Sequence, residues 1–204
     1  NEQYNILNDP TIDFVGCCLE RQTLVTHLFE QKKIDNNFQL LEINDVYLTG
    51  ECDVFVNDTL YQFCRMFYNN QEIVRFPPGI PMYIDYALHV YMPKPFQIGT
   101  FLVQTLSALS LFPRDIIEKS TIILYESNPF VLDSLTSFGI SEDHMHVKEY
   151  EEEIYFVHHL YSILPHQCTE LNPKAFAKMR AHFVKLFNLD QKPPSKFVLI
   201  TLKD

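Results

Sequence analysis

"YALHVYMPKPFQIGTFLVQTLSALSLF", residues 86–112, is the stretch whose reading decides the fold. Its first part, "YALHVYM" at 86–92, is a short run rich in apolar and aromatic residues, the pattern of a strand. From Ile98 the apolar residues Ile98, Phe101, Leu102, Leu106, Leu109 and Phe112 recur at three- and four-residue spacing, which predicts a helix with one buried stripe. The run is not a membrane anchor, because a spanning helix needs about 20 successive apolar residues. Thr100, Gln104, Thr105, Ser107 and Ser110 would present hydroxyls and an amide to lipid. Thr100 and Gln104 are four apart and share a face beside the stripe. Both are expected to look over the carboxyl edge of the sheet, where open α/β sheets bind ligands.

Outward from this stretch the alternation continues. "TIILY" at 121–125 reads as a strand and "FVLDSLTSFG" at 130–139 as a helix closed by Gly139. A short strand at about 144–148 and a longer one, "EIYFVHHLYSIL" at 153–164, follow. "NPKAFAKMRAHFVKLFNL" at 172–189 is a helix with Asn172 as its cap and Pro173 in its first position. "KFVLITL" at 196–202 is a near-continuous apolar strand of the kind covered on both faces. Strand and helix in alternation predict a parallel α/β sheet from Tyr86 onward. Lys203 and Asp204 follow the last strand at once, so half of such a fold is expected to lie outside the sequence.

Before Tyr83 the chain reads as β-rich. "IDFVGC" at 12–17, "FQLLEI" at 38–43, "DVYLT" at 45–49, "DVFV" at 53–56 and "LYQFC" at 60–64 are short strands, punctuated by Asn44, Gly50 and Asn57-Asp58-Thr59. "RQTLVTHLFEQKK" at 21–33 fits a helix or an irregular arm. "FPPGIP" at 76–81 breaks regular structure and divides a β-rich segment, 1–82, from an α/β segment, 83–204.

Composition narrows the function classes. The 204 residues are 47% hydrophobic, with 17 Phe and 11 Tyr, enough for a packed core. The net charge is −10 and no basic cluster is longer than Lys32-Lys33, so the cationic surface that a phosphate backbone requires is missing and nucleic acid is excluded as an expected partner. Cysteines at 17, 18, 52, 64 and 168 lack the paired spacing of zinc sites. Asn57-Asp58-Thr59 is an N-glycosylation sequon at the expected tip of a hairpin, and a loop at 57–59 would set Cys52 opposite Cys64, suited to a disulfide in an oxidising lumen.

No common catalytic signature is present. The five glycines, at 16, 50, 79, 99 and 139, build neither G-x-G-x-x-G nor a phosphate-binding P-loop, and neither G-x-S-x-G nor H-E-x-x-H occurs. His144 and His146, near Glu151, Glu152 and Glu153, have ligand chemistry for a metal but not its spacing, so a polar link between strands is the simpler reading and no metal is expected. His158-His159 should send one imidazole to each face of a strand, one into the core and one half-exposed. Arg180 reads as a helix surface residue.

"YMPKPFQIGTFLVQTLSALSLFP", "NPFVLDSLTSFGISEDHMHVKE", "NPKAFAKMRAHFVKLF" and "KFVLITLKD", in this order and spacing, resemble the amino-terminal half of the catalytic domain of glycosyltransferase family 61, which includes xylosyltransferases of plants and fungi and the EGF-domain-specific O-GlcNAc transferase. "LEINDVYLTGECDVFVNDTLYQF" is similar to the β-rich segment that leads into that core. The resemblance, over about residues 38–204, implies a Rossmann-like half-domain of GT-B type. It also implies a nucleotide-sugar as donor, a glycan or glycoprotein as acceptor, a site in the lumen of the Golgi or endoplasmic reticulum, and no metal cofactor. In that layout the other, carboxyl-terminal half holds most of the donor.

The chain departs from the family where chemistry is expected. The family's G-H-F-[LV]-x-E/D helix pattern stands here as Gly99, Thr100, Phe101, Leu102, Val103 and Gln104. Its strand ending in I-S-R stands as Ile200, Thr201 and Leu202. A general base must take a proton near neutral pH and a diphosphate needs cationic or N–H donors, and Thr100, Gln104 and Leu202 supply neither. Three readings stay open: a divergent transferase, a transferase-like module that binds glycans or scaffolds without catalysis, and a plain α/β interaction domain.

Overall fold

The strand at the centre of the fold begins earlier than its pattern predicts, at Met82 rather than Tyr86. The computed structural model of the chain describes residues 13–14, 30–33, 38–49, 54–56, 59–61, 74–75, 80–90, 97–149, 153–164 and 173–189. In chain order the strands are β1 (Asp13–Phe14), β2 (Glu30–Lys33), β3 (Gln39–Thr49), β4 (Val54–Val56), β5 (Thr59–Tyr61), β6 (Val74–Arg75), β7 (Met82–His89), β8 (Ile122–Leu124), β9 (Met145–Val147) and β10 (Ile154–Leu164). Helix α1 is one run in three pieces, Ile98–Thr100, Phe101–Leu106 and Ser107–Leu109. Helices α2 (Arg114–Lys119), α3 (Pro129–Ser137) and α4 (Pro173–Leu186) complete the described residues.

The expected alternation is present from β7 onward. β7 and β10 are parallel neighbours, β8 and β9 are parallel neighbours, and a parallel bridge at Ala87 and Thr121 joins the pairs. There the Thr121 N–H donates to the Tyr86 carbonyl at 2.8 Å and the Leu88 N–H to the Thr121 carbonyl at 2.9 Å. The spatial order is β9-β8-β7-β10, so the chain adds two strands to one side of β7 and then returns to the other.

The sheet is mixed rather than parallel throughout, which corrects the expectation. β3 lies antiparallel along β10 from Thr49 opposite Ile154 to Gln39 opposite Leu164, and it carries β2 and the β4-β5 hairpin. An eleven-residue strand left unpaired would expose a long ladder of N–H and C=O groups, and the equally long β3 covers that edge. The β-rich and α/β segments on either side of residue 82 therefore share one sheet. Asn44 does not end a strand: β3 runs on through it because Asp45 adopts φ 53°, a left-handed conformation that aspartate tolerates better than most residues. The β4-β5 hairpin pairs Val56 with Thr59 and Val54 with Tyr61, one residue out of the register expected from a 57–59 loop. Asn57, Cys52 and Cys64 lie outside the described residues, as do Asn172 and the strand expected at 196–202.

Two apolar clusters form the core. In one, Phe101, Leu106 and Leu109 of α1, Ile116 and Ile117 of α2, Val131 and Leu135 of α3, and Ala175 and Met179 of α4 pack with Leu40, Leu88, Val90 and Ile163 of the sheet. The other is built among the described residues from strand positions alone, including Leu41, Ile43, Val46, Ile84, Ala87, Val157 and Leu160. The four helices thus contribute to one core, and the expected sandwich with helices on both faces is not formed among the described residues.

That second cluster shows why sequence alternation misplaced several side chains. Its buried positions are three apart, not two, in three neighbouring strands: Ile43 and Val46, Val157 and Leu160, Ile84 and Ala87. In a regular strand such pairs would fall on opposite faces. The intervening pairs, Asn44-Asp45, His158-His159 and Asp85-Tyr86, are all solvent-exposed or half-buried. The ladder bridges are interrupted at Asp45 and His158, and Asp45 is the residue with positive φ. Neither histidine enters the core, contrary to the expectation of one on each face.

Candidate functional site

The carboxyl ends of β7, β8 and β9 and the starts of the helices that follow make the edge where a parallel sheet is best placed to bind a ligand. Gln97, Ile98, Gly99 and Thr100 open α1 at this edge. Ile98 is 55% exposed, and a Cβ added to Gly99 would meet nothing within 4 Å, so the turn is open rather than sealed. The Thr100 hydroxyl donates to Gln97 Oε1 at 3.0 Å.

Gln104 does not join Thr100 at the surface. It is 5% exposed, because residues Phe101–Leu106 form a π-helical segment in which the Ser107 N–H reaches the Leu102 carbonyl five residues back. The wider turn rotates later residues away from the face that ideal helical spacing gives them, so Gln104 and Ser107 are buried together with Thr105, which lies on the apolar stripe. The Ser107 hydroxyl donates back to the Val103 carbonyl, and the Ser110 hydroxyl bonds the carbonyls of Ser107 at 2.6 Å and of Ala175 at 3.1 Å. These hydroxyls satisfy carbonyls along the irregular run. Of the altered motif positions, Gly99 and Thr100 reach the edge, Gln104 does not, and Leu202 lies outside the described residues.

Beyond β8, Tyr125 is half-buried, Glu126 and Ser127 are exposed, and Asn128 caps α3 by accepting the Val131 N–H at 3.0 Å. Phe130 is 40% exposed, and its ring lies 6.0 Å from that of Phe101, which ties the start of α3 to α1. Beyond β9, Val147 is exposed and the Lys148 ammonium sits 4.2 Å over the Tyr125 ring. Glu126 supplies an exposed carboxylate at this edge. Glu126 is not among the residues that motif or spacing singles out, although it stands directly after the strand pattern "TIILY". Deeper in the sheet, His89 Nδ1 and Ser162 Oγ are 3.2 Å apart near the ends of β7 and β10, but both residues are buried, so the pair holds strands together rather than meeting a substrate.

The outward pairs of the irregular rows form a second polar assembly. His158 Nδ1 lies 2.9 Å from Asp45 Oδ1, and His159 Nδ1 lies 3.0 Å from Glu42 Oε1 and 2.9 Å from Asn44 Oδ1. His159 stacks on Tyr86 at 4.8 Å. The Lys119 ammonium donates to the Tyr161 hydroxyl at 3.0 Å, which donates to Glu42 at 3.2 Å, and it also covers the Tyr86 and Tyr161 rings. Burial pulls the Lys119 ammonium down, but the Tyr161 hydrogen bond and the nearby Tyr161, Tyr86 and Glu42 outweigh it and hold lysine above its ordinary value. Burial, assisted by Glu42, pushes the Tyr161 phenol up against the opposing pull of Lys119. Lysine therefore stays charged and tyrosine neutral around pH 7, an arrangement that fixes charge rather than supplying a base.

His146 turns to Glu153, with 3.1 Å between Nε2 and Oε2, and the Tyr155 hydroxyl donates to the same carboxylate. His144 ends a 3-10 turn and has no part in this pair. Among the described residues, no group of three or more His, Cys, Asp and Glu is placed to hold a metal ion. Arg180 is exposed on α4. No helix among the described residues is long and apolar enough to cross a membrane.

With fold and edge in view, the chain is a mixed α/β protein. Comparisons with models of protein families, with curated proteins and with solved structures find no match.

Proposed function

We propose that the chain is a Rossmann-like half of a GT-B glycosyltransferase domain that passes a sugar from a nucleotide-sugar to a glycan or glycoprotein acceptor in the lumen of the secretory pathway. One observation carries this reading: four parallel strands in the order β9-β8-β7-β10, whose carboxyl edge opens at Gly99-Thr100. The strand order reverses beside β7, and ligands of open α/β sheets bind outside the carboxyl ends of the strands at such a point. In this reading a second half outside these residues faces the edge and holds most of the donor. Glu126 is then a candidate to accept the acceptor's proton, a role Thr100 lacks the chemistry for.

A second reading, a transferase-like module that binds glycans without catalysis, is favoured by the burial of Gln104 and by the hydrogen bond that engages Thr100. Both are tested by calorimetric titration of UDP-sugars into the full-length protein, followed by a transfer assay with glycan acceptors. Saturable donor binding with turnover that falls at least about a hundredfold in Glu126→Gln is the result expected of the enzyme, the usual scale for losing a general base. Absence of donor binding at millimolar concentration removes the enzyme and leaves the binding module.

A further inference from the structure

The edge opposite the proposed cleft carries a groove of about 390 Å³, within the size range of small-molecule sites. Its walls come from the start of β7, the end of α2, and the turn that leads into β9. Met82 and Tyr83 are exposed large side chains, Tyr83 to 56%, and the Tyr83 ring meets that of Phe156 at 5.6 Å, which in turn meets Tyr47 at 5.1 Å. Of these rings Tyr83 lines the groove, together with Asp85, Lys119, Thr121, Asp143, His144 and His146. His144 Nδ1 is buried and has no hydrogen-bond partner among the described residues.

These groups select a ligand class. A free phosphate or carboxylate would face Asp85 and Asp143. A cation would meet the Lys119 ammonium, which already covers the Tyr86 ring. What fits is a neutral molecule with an apolar face to lie on an aromatic ring and a rim of hydroxyls that both donate and accept, because carboxylates only accept and ammonium only donates. A pyranose ring has that surface. We propose that the groove between β7, α2 and the Glu142–His144 turn is a binding site for neutral glycan, separate from the edge at Gly99-Thr100.

The site does not depend on the transferase reading, since it lies at the other end of the parallel strands, and its test needs no donor. Saturation-transfer NMR on the whole protein with xylo-, cello- and chito-oligosaccharides, with choline and inorganic phosphate as comparison ligands, reads the occupant directly. The expected result is binding of at least one neutral oligosaccharide, weakened about tenfold or more in both Tyr83→Ala and Asp143→Asn, exposed positions whose replacement leaves the core intact. A tenfold loss in Tyr83→Phe as well would place the contact at the hydroxyl rather than the ring and still support the groove. Failure of every neutral sugar to bind, equal binding by wild type and both variants, or preference for choline or phosphate would overturn the proposal.

Discussion

At the scale of single residues, Gly139 and the Lys119-Tyr161 pair make the clearest commitments. Gly139 closes α3 at φ 92°, and an added Cβ would come within 2.8 Å of the Arg114 guanidinium. Gly139→Ala should cost about 1–3 kcal/mol from the backbone strain, read by chemical denaturation. Arg114→Ala in the same chain should recover only the steric part, because Arg114 is an exposed, flexible side chain paired with Glu118. Lys119 and Tyr161 both hold their protons more tightly folded than unfolded. Their contribution is complete below about pH 10 and is lost as the pH rises through the folded values, so stability measured by chemical denaturation should decline from about pH 10 upward. Glycine as helix terminator was legible in the sequence. The partners of His158 and His159 were not, because regular alternation assigns opposite faces to adjacent residues and three strands break that rule in the same rows.

At the scale of elements, α1 shows how far periodicity reaches. Its three- and four-residue spacing correctly placed Phe101, Leu106, Leu109 and Phe112 in the core, but it also put there Ile98, which is exposed at the first turn, and Leu102, which is half-buried, and it left Gln104 on the surface because nothing in "FLVQTL" announces a π-helical turn. Serines that bond back to carbonyls accompany that turn. Leu109→Ala, at a fully buried position in regular helix, should cost about 2–5 kcal/mol. α3 followed local rules throughout: Asn128, Pro129 and Gly139 mark cap, first turn and stop. Asn128→Ala should lower stability by about 1 kcal/mol, and hydrogen exchange should localise the loss to the first turn of α3.

At the scale of the whole molecule, the alternation after Tyr83 was enough to foresee parallel β7, β8 and β9, since those two crossovers are written locally as strand, helix, strand, whereas β10 follows β9 with no helix between them. The antiparallel seam of β3 with β10 was not foreseeable, because a partner more than a hundred residues away leaves no local pattern. The seam has a consequence for stability. Residues 83–204 expressed alone would lose β3 from the sheet and Phe38 and Leu40 from the helix-side core. That fragment should fail to show a cooperative unfolding transition, whereas the whole chain should unfold cooperatively.

The carboxyl edge as the ligand face is most directly tested by amide chemical-shift mapping of isotope-labelled full-length protein, titrated with a UDP-sugar alone and then with a glycan acceptor. The shifts should concentrate on Gln97–Thr100, Glu126–Phe130 and Val147–Lys148, while Met82–Asp85 and Asp143–His146 respond to glycan alone. Saturating ligand that leaves the first three segments unmoved would contradict the placement of the site and, with it, the transferase reading.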